Sequence, residues 1–261
     1  MEQEANKSNS ASSFYDSFKD ARDKLKNEVP DDRSRYVRME TREDKSAITG
    51  EAFQAIKKGK CLTEWQGIIM WKDPLSITIY QSMLWELKPA TIIEIGAFRG
   101  GSALWLADHV TTFGLKSRVI SSDIDLSNLD PKVKQNDIIT FIQGDIYKID
   151  EVFPESLLES LPHPWMIIED SHENVAGQLE YFYKYMVTGD YFVAEDTHHD
   201  TIAESSADGG LIHKPNWGPE KMKVLREFCK KHPGDLLVDT RYNDMFGYNG
   251  TWNMNGFLRK M

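Results

Sequence analysis

Cysteine is scarce in this chain: Cys61 and Cys229 are the two among 261 residues. A disulfide-stapled scaffold is thereby excluded, and a reducing, cytoplasmic setting is the default expectation. Long apolar runs are missing as well. No stretch approaches the ~20 apolar residues of a membrane helix, and none has the build of a signal peptide, so no membrane partner is expected. Positive charge is in deficit, with 31 Lys and Arg against 41 Asp and Glu and a net charge of −10. Phosphate backbones call for a basic stripe, whereas the basic residues here are interspersed with acids, which argues against nucleic acid. No internal repeat is apparent.

What is present is enough apolar material, 40% of the residues, to bury a full core. The opening MEQEANKSNSAS is polar, and residues 1–13 read as a disordered tail. Residues 14–60 carry mixed charge with short amphipathic runs and read as a helical extension that packs on the domain or on a second subunit. Residues 61–261 read as the main domain. About seven strand-like runs alternate with helices there, the order of an α/β fold whose sheet is mostly parallel with one late antiparallel strand. Asp73-Pro74 marks a helix start, with Leu75, Ile79, Met83 and Leu87 as its buried stripe.

The chemistry concentrates at the ends of the strand-like runs. Thr91 to Ser102, TIIEIGAFRGGS, reads as a buried strand, a glycine turn at Gly96 and Gly100-Gly101, and a helix opening at Ser102. The spacing is not the G-x-G-x-x-G of dinucleotide sites. Glu94 would repel phosphate and suits a sulfonium, so the pattern points to S-adenosylmethionine, with Phe98 and Arg99 placed in its pocket by the turn. RVISSDI, Arg118 to Ile124, ends in Asp123, where doubly wound folds hold the acid that receives ribose hydroxyls; Asp125 is a second candidate. IITFIQGD, Ile138 to Asp145, closes in Gly144-Asp145, an acid able to accept from an adenine amino group. Each aspartate taken alone also fits a helix cap or a turn.

Two further apolar runs, within Trp165 to Asp200, end in Asp170 and in Glu195-Asp196. On neighbouring parallel strands these carboxylates share one rim, a donor set for Mg²⁺ or another divalent cation. Glu169 is the alternative to Asp170, since alternation turns one of the two away from that rim. His172 is the candidate general base, its other reading being a capping histidine. His198 and Asp200 with His213 or His232 offer a rival facial triad for Fe(II), which the helix-interleaved strands argue against. His198 and His199 otherwise line the acceptor pocket or stand in a solvated loop. The long connection from Asp200 to Trp217 suggests a lid. Trp217, Trp65, Trp71, Phe246, Tyr248 and Trp252 are aromatic candidates for an acceptor ring.

The stretch Thr63 to Asp108 resembles the opening of the cephalosporin hydroxylase/rhamnosyl O-methyltransferase family. VISSDID, the Asp170-Ser171-His172 segment, GDYFVAEDT at Gly189 to Thr197, GPEKMKVLREF at Gly218 to Phe228 and NMNGFLRK follow in the family's order. The chain departs from the pattern in a shorter spacing from Asp170 to the histidine and in a bare Gly189. The resemblance implies a Rossmann-like class I methyltransferase sheet with helices on both faces, S-adenosylmethionine as donor, and metal chemistry like that of catechol O-methyltransferase. It further implies a small-molecule methyl acceptor, hydroxylated by preference, and a homo-oligomer. An amine acceptor, or a scaffold that has lost catalysis, are the alternatives.

Overall fold

The computed structural model describes residues 15–25, 32–199 and 217–261. The expected tail at 1–13, the expected lid up to Asn216, and Asp200 and His213 lie outside the described residues. By contacts the chain divides into Met1–Arg35 and Tyr36–Met261. The first unit holds a helix over 15–25 and a helical turn, Asp32–Arg35. Residues from Tyr36 onward, including part of the expected extension, cluster with the sheet.

The strands of the second unit are β1 (Tyr36–Val37), β2 (Glu64–Trp65), β3 (Ile68–Ile69), β4 (Thr91–Ile95), β5 (Arg118–Asp123), β6 (Ile139–Gln143), β7 (Trp165–Glu169), β8 (Tyr191–Ala194), β9 (Leu236–Asp239) and β10 (Phe257–Lys260). Eight of them form one sheet in the order β1-β9-β10-β8-β7-β4-β5-β6, and β2 and β3 form a separate hairpin. From β8 to β6 all pairings are parallel. The late antiparallel strand is β10, which runs against both β8 and β9, and the short β1 adds an antiparallel edge. Chain order reverses between β4 and β7, where successive crossovers leave toward opposite edges and open a crevice at the strands' carboxyl ends.

Strict alternation buries both faces. Ile93, Ile95, Trp165, Ile167, Phe192 and Ala194 point into one cluster, with Leu179, Phe182, Leu225 and Phe228 from the helices Val175–Tyr183 and Trp217–Lys231. Ile92, Met166, Ile168, Tyr191 and Val193 point into the other, against the helices Pro74–Leu87 and Gly101–Thr112. Each fully buried Ile, Leu or Phe contributes about 1.5–3 kcal/mol. The Pro74–Leu87 helix begins as its sequence predicts: Asp73 Oδ1 accepts from Leu75 N at 2.9 Å and Ser76 N at 3.0 Å. Its buried stripe is rotated slightly, however, to Ser76, Ile79, Tyr80, Met83 and Leu84, with Leu75 and Leu87 only partly covered.

The two thiols differ sharply. Cys61 is exposed and Cys229 is buried, and burial pushes the Cys229 thiol up to about 12. At neutral pH a maleimide or disulfide probe is expected to modify Cys61 in the native chain and to reach Cys229 only after denaturation. Unfolded, Cys229 ionises near its ordinary value of 9.0, so stability is expected to fall as pH rises from there toward 12.

Candidate active site

The parallel register pairs Glu169 with Ala194, so the turns that follow β7 and β8 emerge side by side. Asp170 N donates to Ile95 O at 2.9 Å and Glu195 N donates to Glu169 O at 3.0 Å, extending the ladder into those turns. His172 and Asp196 then adopt left-handed backbones, φ 61° and 56°. Such strain, about 1–3 kcal/mol per residue, persists only where neighbours enforce it. Here His172 N donates to Glu169 Oε1 at 2.8 Å, and Asp196 N donates to Asn253 Oδ1 at 2.9 Å. Asp170, His172 and Asp196 thereby offer donor atoms all within 4.8 Å of one another. His172 Nε2 lies 3.2 Å from Asp196 Oδ2 and 3.7 Å from Asp170 Oδ1, and its ring stacks on Trp217 at 4.3 Å.

Two lysines enter this acidic edge. Lys60, the last residue of the helix Gly50–Lys60, places Nζ 2.6 Å from Asp196 Oδ1. Lys72 Nζ lies 2.6 Å from both Asp170 Oδ2 and Glu195 Oε2. Glu195 differs from its sequence expectation: it stands outside the three-residue group, with Oε2 on Lys72 and Oε1 accepting from Tyr80 OH at 2.5 Å. Burial, then the neighbouring Asp170 charge, pushes its carboxyl up to about 8. Burial also acts to raise Asp170 and Asp196, but Lys72 and His172 on the one, and Lys60 and His172 on the other, hold both below the usual carboxylate range. Burial opposes the charge on Lys72, yet Asp170 and Glu195 keep it firmly protonated. Glu169 turns the other way, its Oε2 2.6 Å from Lys221 Nζ. Carboxylates with an imidazole alongside fit a hard or borderline divalent ion, for which Lys60 and Lys72 compete.

The glycine turn stands across the crevice. Gly96 (φ +110°) passes so close to the turn after β7 that a Cβ would sit 2.8 Å from Asp170 O. The pair Gly100-Gly101 serves packing: a Cβ on Gly101 would lie 2.2 Å from Ile69 O of the β2–β3 hairpin, and one on Gly100 would meet Val133 at 2.7 Å. Phe98 is exposed with φ 46°, its ring stacked on Trp71 at 5.1 Å, and its N–H donates to Asp123 Oδ2 at 2.7 Å. Asp123 Oδ1 accepts from Asp125 N at 3.1 Å. Asp125 and Asp145 both cap short helical turns, through Ser127 N at 2.9 Å and Tyr147 N at 3.0 Å. The Ser127 hydroxyl and N–H hold the exposed Asp125 carboxyl below its usual value. Gly144 donates its N–H to Asp123 O at 3.0 Å, and Arg99 is exposed. Glu94 is enclosed at 0% exposure and accepts from Ser121 Oγ at 2.5 Å. Burial raises its carboxyl against the pull of Lys72 and of the hydroxyls of Ser102 and Ser121. Ser102, 7% exposed, stands beside it.

Residues 58–261 match the family described as Rhamnosyl O-methyltransferase/CmcI. The chain belongs to that family. It is 29% identical over 205 residues to the rhamnosyl O-methyltransferase of Mycobacterium leprae (strain TN), a match that covers 75% of this chain and 82% of that protein. Among solved structures it is similar to CmcI described as Mg-SAM, with 27% identity, a TM-score of 0.60 and 77% of each chain covered. A CmcI structure described with SAH is similar too, at 28% identity, a TM-score of 0.58, and coverage of 76% of this chain and 82% of that one. The sheet order described above is that of a Rossmann-like methyltransferase.

Within this methyltransferase several further sequence candidates are engaged in packing contacts. His198 is buried and stacks on Phe53 at 4.4 Å, and Phe53 stacks in turn on Trp252 at 3.7 Å. His232 packs at 4.5 Å against Tyr183 and Phe228. Among the described residues the one group with three metal-type donors is Asp170, His172 and Asp196. Trp65 Nε1 donates to Asp108 Oδ2 at 2.6 Å, and Tyr248 stacks under Arg42 at 4.2 Å. Sequence reading missed Lys60, Lys72, Tyr80, Lys221 and Asn253. Lys72 stands directly before the cap Asp73, but that spacing does not say which way its side chain turns.

Proposed function

We propose that this methyltransferase moves the methyl group of S-adenosylmethionine to a hydroxyl oxygen of a small hydroxylated acceptor, assisted by Mg²⁺ or a similar divalent cation. The observation that carries the reading is the convergence of Asp170, His172 and Asp196 at the switch point, facing the glycine turn after β4. The names of the relatives, which include a rhamnosyl O-methyltransferase and a CmcI–Mg–SAM complex, support both donor and ion. Asp170 and Asp196 would hold the cation, with Glu195 completing the acidic edge. A bound divalent ion orients an acceptor oxygen and lowers its pKa. Mg²⁺ prefers oxygen ligands, which leaves the His172 imidazole available to take the acceptor's proton. Asp196 orients that imidazole from 3.2 Å and Trp217 covers its face. Asp123, already holding the Phe98 N–H, is placed to receive the ribose hydroxyls, with Gly144 and Asp145 farther along the same rim. A homo-oligomer remains part of the proposal.

Calorimetry of S-adenosylmethionine and its demethylated product, with and without Mg²⁺, followed by an acceptor screen with mass detection, tests the reading. Turnover is expected to stop in chelator and to return with Mg²⁺; full activity in chelator would remove the ion from the scheme. Asp123→Ala is expected to weaken donor binding by about 10- to 100-fold, the worth of hydrogen bonds to a charged group. Unchanged affinity in that variant would displace the donor from this rim.

A further inference from the structure

Glu169 and Lys221 have no place in the transfer outlined above, yet they lie at 0% and 3% exposure behind the acidic edge. Burying two opposite charges is costly, and apolar residues of similar size often support a fold equally well. Stability alone therefore gives no account of the pair. Its contacts do. Lys221 Nζ lies 2.6 Å from Glu169 Oε2 and donates to the carbonyl of Glu195 at 2.7 Å. Glu169 Oε1 accepts the His172 N–H at 2.8 Å and the Ser171 hydroxyl at 3.1 Å. Gln178 Nε2 closes the network by donating to Ser171 Oγ at 2.9 Å and to Glu173 O at 2.6 Å.

Each of these bonds lands in one of the two turns that present the site. One fixes the amide of His172, whose backbone is left-handed; another fixes the carbonyl of the peptide that leads into Asp196, which is left-handed too. Lys221 is carried by the helix Trp217–Lys231, whose first residue stacks on the His172 ring. A single rigid element thus touches both turns. We infer that the buried Glu169–Lys221 ion pair is a positioning device that locks the turns after β7 and β8 together, so that the His172 imidazole and the Asp196 carboxylate meet. The inference rests on the functional reading of that edge given above.

The test compares full-length Glu169→Leu/Lys221→Met with Glu169→Gln. The first replaces the pair by apolar side chains; the second keeps an acceptor for the His172 N–H and removes only the charge. The double variant is expected to melt within a few degrees of wild type while losing about 10- to 100-fold in both kcat and calorimetric Mg²⁺ affinity, with KM for the donor unchanged. Glu169→Gln is expected to lose less, about tenfold. A folded double variant with wild-type kcat and Mg²⁺ affinity overturns the inference. Should the double variant not fold, Glu169→Gln decides: a tenfold drop in kcat at constant KM supports the device, and wild-type values overturn it. Wild-type protein that binds no Mg²⁺ sinks the functional reading itself, whereas binding that both variants share unaltered sinks only the positioning role.

Discussion

Asp196→Asn is expected to abolish Mg²⁺-stimulated methyl transfer, lowering kcat by about 100-fold or more while leaving the fold in place. Asparagine is the informative replacement because, unlike alanine, it tolerates the left-handed backbone at φ 56°, so the backbone N–H stays on Asn253 Oδ1. What it removes is charge. Lys60 would face a neutral amide, and because its side chain is 15% exposed it can turn toward water. The stability cost is therefore about 1–3 kcal/mol, below that of stranding a fully buried ion. Turnover with Mg²⁺ and with chelator, beside a thermal melt, separates the two effects. Metal-stimulated turnover surviving in a folded variant would take Asp196 out of the site.

Gly96→Ala should cost the crevice a large share of its stability, because it combines a left-handed backbone with a close backbone neighbour. An L-residue at φ +110° is strained, and its Cβ would press on Asp170 O, which is backbone held by the ladder. Together these cost about 3–5 kcal/mol, or roughly 10 °C in Tm for a domain of this size. Two controls place the effect. At Gly144 the opposing atom is a Val152 methyl, which can yield, so Gly144→Ala should cost only about 1–2 kcal/mol. Gly59, inside a helix with nothing within 4 Å, should gain about 0.5–1 kcal/mol as alanine. Equal losses at all three positions would show that the crevice does not depend on the close approach at Gly96.

The parts of the fold that sequence revealed are those whose energetics are local. TIIEI and WMIIE are largely apolar runs because their strands are covered on both faces, and Asp73-Pro74 announces a helix because the cap bonds its own next turn. Two-residue strands such as β1, β2 and β3 carry no period to detect. The site divides the same way. Asp170 and Asp196 were legible because strand ends converge by topology. Lys60 and Lys72 were not, since a lysine before or within a polar stretch reads as a solvated surface until tertiary structure encloses it. Glu195 and Glu94 were legible as acids but not as enclosed ones: whether a carboxylate at a strand end faces the rim or the sheet depends on partners such as Tyr80, Lys72 and Ser121, which lie far away in the sequence.

Asn253, which holds the amide of Asp196, belongs to the segment between β9 and β10, where Asn249, Thr251 and Asn255 are also fully enclosed. Arg42 reaches that segment from near the start of the unit, donating to Asn255 Oδ1 at 2.8 Å and to Asn249 Oδ1 at 2.7 Å. During synthesis, a ribosome that has completed β9 has already made every acid and lysine of the edge. It has not yet made the brace that sets Asp196, nor the strand β10 that zips between β8 and β9. The nascent chain therefore holds every residue of the edge before it holds the segment that fixes Asp196, or the strand that joins β9 to β8.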